Sequence, residues 1–402
     1  MPCMPDASAA SLNSRPLPRE GRRGDGGREI GNTDDGNRKV AIVGGGPAGM
    51  ALALALHQQG IASEIFDARA RGAVTQDKRI LALSYGTRQI LESLGVWHDT
   101  PATPIAAIHI SQRGRLGRTK LTAHDEGVPA LGYVLNAGDL AAALDQAVTT
   151  AGIPFHEKHK VGAGETAHYA LTAWAEGAVA DDAAIVRDYA QRAVLCTATT
   201  REPHHHTAWE RFTPDGPLAL LPYGKDEGNR YAVVFTCSTA DATQFAALDA
   251  AGFMARLQNQ FGSRLTFATV GPRVSYSLGL RYRAQVVADR QVWIGNAAQT
   301  LHPVAGQGFN LALRDIRDLA HALADPAAAG DPGNAATLAN YAACRRLDRH
   351  ATIRFTDGLT RLFSNDIPPL AHARGAALLA LDLLPPLRSF VARRMMFGAR
   401  AW

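Results

Sequence analysis

Cysteine is scarce in this chain: Cys3, Cys196, Cys237 and Cys344 are scattered through 402 residues, with no CxxC pair and no metal-ligand spacing. A disulfide framework and a thiolate-bound zinc are therefore excluded, and unpaired thiols in a reducing cytosol are expected. Long apolar runs are missing too. No stretch reaches the roughly 20 charge-free apolar residues that a spanning helix needs, so the chain is not expected to cross a membrane. The formal net charge is only +5 and no basic stripe is interleaved with aromatics, which argues against a nucleic-acid partner. Residues 1–38 have almost no large apolar side chain; Gly, Arg, Asp, Asn, Ser and Pro dominate. Such a stretch cannot offset its ordering entropy and reads as a disordered tail. It has no apolar core of the kind a secretory signal carries, although its Arg and Ser content leaves a targeting role open.

The remainder has ample material for a core, since 46% of the chain is hydrophobic and the length suits about two or three interlocked domains. Lys39 to Val43 reads KVAIV, the β-branched apolar run of a central parallel strand. Gly44-Gly45-Gly46-Pro47-Ala48-Gly49 follows at once and fits GxGxxG, and the residues from Met50 to Gln59 are strong helix formers. In this order Gly44 permits a tight turn, Gly46 lets a pyrophosphate approach the backbone, and Gly49 lets the helix pack closely on the strand. Free N–H groups at the helix start, Ala48 included, then face the phosphates. A second short strand, Ala62 to Phe66, ends at Asp67, where a carboxylate would accept adenosine ribose hydroxyls. These features predict a dinucleotide site without separating NAD from FAD.

Far downstream, Gln291 to Asp315 reads QVWIGNAAQTLHPVAGQGFNLALRD. It predicts another buried strand, then a Gly306-Gln307-Gly308 turn opening a helix whose apolar face carries Ile316, Leu319 and Leu323. A nicotinamide dehydrogenase has no need of this second turn. A flavin ring, which gathers negative charge on reduction, gains from backbone N–H donors at a helix start.

With both turns in place, the sequence resembles the FAD-dependent aromatic-ring hydroxylases related to p-hydroxybenzoate hydroxylase, and within them the ubiquinone-biosynthesis hydroxylases. The markers are GGGPAG, the segment Asp77 to Trp97 (DKRILALSYGTRQILESLGVW), the segment Trp209 to Pro222 (WERFTPDGPLALLP) and GNAAQTLHPVAGQGFN. The wording GNAAQTLHP is similar to the 2-polyprenyl-6-methoxyphenol hydroxylase branch. The resemblance implies a mixed α/β (α+β) chain. A Rossmann-like FAD-binding domain (39–185 and 285–330) would interlock with a mostly antiparallel substrate-binding sheet domain (186–284), ahead of a C-terminal helical region (331–402). It implies FAD held by Gly44, Gly46, Ala48, Gly49 and Asp67, with Arg79 near the flavin or its phosphates. Asn296 would face the pyrophosphate or ribityl chain; Pro303, Gly306, Gln307, Gly308 and Asn310 would line the ring, and Asn136 is a looser match to a flavin contact. The implied substrates are a polyprenyl phenol and dioxygen, with the electron donor, NAD(P)H or a redox protein, left open. No metal is implied; His302 is either a proton shuttle or a structural imidazole.

The chain departs from the family pattern in three places. Asn296 replaces the usual Asp, Glu176-Gly177 stands where relatives have Asp-Gly, and the stretch from Phe155 to Trp174 is short for the β-meander expected there. Two other readings therefore stay open: a flavin-deficient scaffold of the same fold in a quinone-biosynthesis complex, and a nicotinamide-dependent dehydrogenase. Arg192 to Thr199, Gly216 to Pro222 and Tyr231 to Cys237 read as strands, with Thr213-Pro214-Asp215-Gly216 as a turn. His204, His205 and His206 are adjacent, and neighbours seldom chelate one ion. Arg345, Arg346, Arg349 and Arg354 read as the solvated face of a helix. Ala376 to Phe397 (AALLALDLLPPLRSFVARRMMF) combines leucine-rich turns, a Pro-Pro break and a basic end. It suits either a membrane interface at the inner face of the membrane or an ordinary terminal helix of a cytoplasmic protein.

Overall fold

The computed structural model describes residues 39–400, apart from 99, 116, 178, 180, 225–227, 303–305, 327–329 and 364–367, so the expected tail at 1–38 lies outside the described residues. Its nucleus is β1 (Val40–Val43), buried along its whole length as the run VAIV requires. In parallel register Ile42 lies opposite Ile65 of β2 (Ser63–Phe66) and Ala173 of β9 (Leu171–Trp174). Beyond β2 lies β8 (Phe155–His156), and beyond β9 come β17 (Gln291–Trp293) and β16 (Val287–Ala288). The sheet order is β16-β17-β9-β1-β2-β8, so the two glycine-rich segments, far apart in sequence, emerge from one sheet.

Helix α1 (Pro47–Gln58) is buried from Gly49 to Leu56, as a helix apolar on all sides must be. It packs against α4 (Ala137–Thr150) and α7 (Gln307–Ala324), and the shared core includes Met50, Leu52, Leu56, Leu144, Ile316 and Leu319. Each such side chain contributes on the order of 1.5–3 kcal/mol by leaving water.

A larger sheet carries β18 (Gln299–Thr300), β15 (Val274–Arg283), β10 (Ala184–Thr200), β13 (Arg230–Ser238), β12 (Gly216–Pro222), β11 (Thr207–Thr213), β5 (Ala107–Gln112) and β6 (Arg118–Thr122), in that spatial order, with β14 (Phe267–Val270) paired to β10. Its pairings are antiparallel except β11 with β5. The β11–β12 hairpin turns at Gly216, φ +138, where the Thr213 hydroxyl donates to the Gly216 carbonyl at 2.8 Å. Strands β5 and β6 come from the 39–185 segment yet join this sheet. The chain thus enters the substrate sheet earlier than expected, because β5 alternates Ile108 and Ile110 toward a common apolar face and pairs with β11. A small sheet, β3 (Ile80–Ser84), β7 (Gly132–Asn136) and β4 (Thr103–Ile105), lies between these excursions.

Helices α2 (Tyr85–Ser93) and α3 (Ala123–Glu126) link the small sheet to its neighbours, while α5 (Thr239–Ala247) and α6 (Ala250–Phe261) cover the outer face of the large sheet around Phe235, Phe253 and Phe261. The C-terminal part is helical: α8 (Ala335–Phe363), α9 (Pro368–Leu383) and α10 (Pro385–Phe397). Here one expectation is corrected. Arg346 and Arg354 are exposed, but Arg345 and Arg349 are only 2% and 3% exposed. Asp315 and Asp348 bind the Arg345 guanidinium at 2.6 and 2.7 Å, and Arg349 donates to Gln299 at 2.7 Å. Partners on α7 and β18 are invisible to a helical wheel of α8 alone.

Candidate active site

At Gly44 φ is +117, and a Cβ would stand 2.6 Å from the Glu176 nitrogen, so glycine is required where the turn passes the end of β9. A Cβ at Gly49 would fall 1.8 Å from the Gly44 carbonyl oxygen, the mark of α1 packed tightly on its own loop. Gly46 is different: nothing lies within 4 Å of its Cβ position, and it lines a cavity. Pro47 takes the first helical position, where its missing N–H costs nothing, and the other first-turn amides, Ala48 among them, have no partner within the helix.

Asp67 sits at the tip of β2, 4% exposed. Its carboxylate accepts the Gly45 N–H at 2.8 Å and the Arg69 N–H at 2.8 Å, and the Arg69 guanidinium lies 2.7 Å away. Burial pushes this carboxyl up, but the hydrogen bonds from Arg69 and Gly45 outweigh it and hold it below the usual range. Arg69 also lines the cavity and was not expected from sequence; its position two residues beyond a strand-ending acid was the available signal. Glu176 stands nearby on the loop after β9. Burial and then the Asp67 charge push its carboxyl up. The short segment 157–170 forms turns alone, yet β9 keeps full register with β1, so trimming the meander leaves the dinucleotide fold intact.

The second cradle forms where α7 begins. Gly306 caps the helix in the left-handed region, φ +61, and Gly308, like Gly46, has nothing within 4 Å of its Cβ position. Asn310 locks this turn to β3. Its Oδ1 accepts the Ser84 N–H at 2.9 Å, and its Nδ2 donates to the carbonyls of Gly306 at 2.7 Å and Ala82 at 3.2 Å. Asn310 therefore holds the cradle in place with its side chain rather than offering it to a ligand. Gln307, Asn296 and the Asp77–Arg79 ion pair all line the same cavity, and Pro303 lies outside the described residues.

Two expected residues stand apart from this wall. Asn136 caps α4, its Oδ1 accepting the Gly138 N–H at 2.8 Å, and does not line the cavity. His302 is 1% exposed, packs edge-on against Tyr189 at 5.7 Å between ring centroids, and likewise does not reach the cavity wall. Burial pushes its imidazole down to about 4, so it is neutral at physiological pH. Among the described residues no group of His, Cys, Asp and Glu is arranged to hold a metal.

Gly46 and Gly308 open into one cavity of about 1330 Å³. A single-ligand pocket typically holds about 300–1,000 Å³, so this space suits a dinucleotide and a second molecule. Much of the remaining wall is apolar, with Ile110 from β5, Ala219 and Leu221 from β12, Leu378 from α9 and Met396 from α10. Sequence periodicity did not reveal this lining, because it is assembled from strands and helices more than 250 positions apart.

A family model described as FAD binding domain matches residues 37–189 and 182–356. The chain belongs to this FAD-binding family. The flavoprotein is 34% identical over 388 residues to the ubiquinone hydroxylase UbiL of Rhodospirillum rubrum, covering 89% of each chain. It is 29% identical to the 3-demethoxyubiquinol 3-hydroxylase of Escherichia coli, covering 86% of this chain and 94% of that one. Among solved structures, p-nitrophenol 4-monooxygenase PnpA from Pseudomonas putida superposes with a TM-score of 0.69 at 16% identity, covering 90% of this chain and 98% of that one, which is a likeness of fold. This is an FAD-dependent aromatic hydroxylase, and the two open glycines of one cavity fit the cofactor that its family binds.

Proposed function

We propose that this flavoprotein hydroxylates the aromatic ring of a polyprenyl phenol, a ubiquinone precursor, with dioxygen as co-substrate. The observation that carries the reading is the single cavity joining both glycine cradles to an apolar compartment under α9 and α10. A nicotinamide dehydrogenase would leave the second cradle without a purpose.

In this reading the turn Gly44–Gly49 holds the pyrophosphate, with Gly46 giving close approach and Ala48 an amide. Asp67 receives the adenosine ribose, with Arg69 orienting its carboxylate. Gly306, Gln307 and Gly308 direct backbone N–H groups at the flavin ring from the positive end of α7, and Asn310 fixes their direction. The flavin, when bound, supplies the electrons and the oxygen activation. The protein's part is to orient the phenol ring and to keep water out.

The isoprenoid tail belongs at the C-terminal helices. Helices α9 and α10 meet at 100°, and Leu379, Leu383, Leu384, Leu387 and Phe390 stand exposed around that corner by 42 to 67%. No single described helix is long and apolar enough to cross a membrane. A bent apolar corner beside an apolar compartment suits shallow insertion among lipid headgroups, with the tail passing from bilayer to cavity.

The test is hydroxylation of a defined prenylated phenol by the purified holoenzyme under labelled dioxygen. One labelled oxygen atom on the ring is expected, and reduction of dioxygen without ring oxidation over a series of such phenols refutes the reading. For the membrane contact, co-sedimentation with phospholipid vesicles should be lost in the Leu383→Asp/Leu387→Asp variant while flavin content is kept.

A further inference from the structure

The cavity face of the large sheet carries one ionisable side chain among apolar residues and the hydroxyls of Thr236 and Thr300. In register across β5, β11, β12 and β13 stand Ile110, Glu210, Ala219 and Val234, and all four line the cavity. Along β11 the same face presents Ala208 and Phe212, both at least 95% buried. Trp209 and Arg211 alternate to the opposite face, where Arg211 bonds Ser111 and lies over the Phe261 ring. Glu210 is thus a carboxylate set into a hydrocarbon wall, and among the described residues it has no hydrogen-bond or ion-pair partner.

Glu210 is half-buried and faces the cavity; a carboxylate held among apolar side chains with no partner gives up hydration for no return, and native proteins rarely keep one where nothing uses it. The other ionisable side chains on the cavity wall are Arg374 on α9 and, around the dinucleotide cradle, Asp67, Arg69, Asp77, Arg79 and Glu176. None of them perturbs Glu210; burial alone pushes its carboxyl up, to about 7. A carboxylate in that range is matched to proton transfer near neutral pH.

We propose that Glu210 is the group that receives the phenol of the substrate: its carboxylate accepts a hydrogen bond from the ring hydroxyl and takes that proton as the ring is hydroxylated. The phenol O–H bond breaks, a carboxyl O–H bond forms, and the electron pair stays on the phenol oxygen, enriching the ring carbons for oxygen transfer. No electron is gained or lost in this step. The proposal rests on the substrate reading above, and its test has an arm that does not need turnover.

Binding of a prenylated phenol and of its O-methyl ether to the oxidised holoenzyme should be compared by perturbation of the flavin spectrum. The wild type should prefer the phenol by about 10-fold or more, the worth of a buried hydrogen bond to a charged group. Glu210→Leu should remove the preference while keeping flavin content and ether affinity. Hydroxylation by Glu210→Gln should fall about 100-fold or more. It should also lose the wild type's rise in kcat/KM as pH passes about 7, and should regain rate on ring-fluorinated, more acidic phenols. Undiminished discrimination in Glu210→Leu, or an unchanged pH profile in Glu210→Gln, overturns the proposal. If the wild type discriminates through Glu210 yet hydroxylates no prenylated phenol, the contact stands and the substrate reading falls.

Discussion

Replacing Arg345 with methionine should destabilise the fold severely although the residue touches no ligand. Its guanidinium is bound by Asp315, Asp318 and Asp348 at 2.6, 2.9 and 2.7 Å, with side-chain exposures of 2% for the arginine and 4, 7 and 3% for the acids. After the substitution Asp348 keeps Arg314 at 2.8 Å and Asp318 keeps Arg317 at 2.9 Å. Asp315 keeps the Gln299 amide at 2.9 Å and the nearby charge of Arg349, but loses its direct guanidinium contact. Removing one partner of a buried pair costs about 3–5 kcal/mol. At the usual unfolding entropy per residue, that is a fall in Tm of roughly 4–6 °C for a chain of this size. The pH dependence gives a sharper check. Burial pushes the Asp348 carboxyl up, but Arg314 and Arg345 together hold it well below the carboxylate range. A carboxyl depressed on folding contributes stability that is full above its unfolded value, about 3.9, and is lost as pH falls below it. The variant has less of this contribution to lose, so the gap between the two proteins should narrow on acidification. Thermal unfolding of both proteins from neutral pH down to about pH 2.5, below the unfolded carboxyl value, checks this. A Tm within about 1 °C of wild type at neutral pH, or a gap that widens in acid, refutes the reasoning.

Other predictions follow the same geometry. Gly46→Val places side-chain atoms in the open space of the first cradle and should yield a folded but colourless protein, read by visible absorbance and circular dichroism. Gly308→Val should have the same effect at the second cradle, which lies about 260 residues away in sequence. Asp67→Ala should weaken FAD binding by about 10-fold or more, measured by flavin fluorescence on titration into apoprotein. His302 is neutral when folded and protonates more readily once unfolded. Its contribution is present above about 6.5 and should be lost as pH falls toward about 4, and His302→Gln should flatten that part of the stability profile.

The parts legible in the sequence are those whose determinants are local. The KVAIV strand, the glycine turn and α1 declare themselves within 20 residues, and Thr213-Pro214-Asp215-Gly216 marks the β11–β12 hairpin on its own. The second cradle was readable for the same reason, from Gly306 and Gly308 at the head of an amphipathic helix. Asn136 shows two signals in conflict: an asparagine just before Ala137–Thr150 is a helix cap by local chemistry, and that role takes its side chain. Non-local pairing stayed hidden. Nothing in Ala107–Thr122 states that it will cross to the large sheet, and nothing in α8 states that Arg345 will meet aspartates about 30 residues upstream. Glu210 lay between: once β11 is known to be a strand, its parity with Ala208 and Phe212 places it on the buried face.

The buried ion cluster and the second cradle are two ends of one device. On the proposed reading, a cofactor that bridges Gly46 and Gly308 would bind tightly only if both turns stand in place beforehand, since any ordering left to the binding step subtracts from affinity. The first turn is fixed by its own strand and helix. The second begins α7, whose first turn is held to β3 by Asn310, while its middle is held to α8 by Arg314, Asp315 and Asp318 and to β18 by Gln299. Asp348 also accepts the Ala399 N–H at 2.7 Å, which secures the end of the chain beyond α10. The ion cluster thus connects the second glycine turn to the helices that wall the apolar compartment. Loosening it should therefore cost cofactor affinity as well as stability. If the Arg345→Met protein proves less stable yet binds FAD as tightly as the wild type, the cradle is held by Asn310 alone, and the cluster serves only to fasten the C-terminal helices.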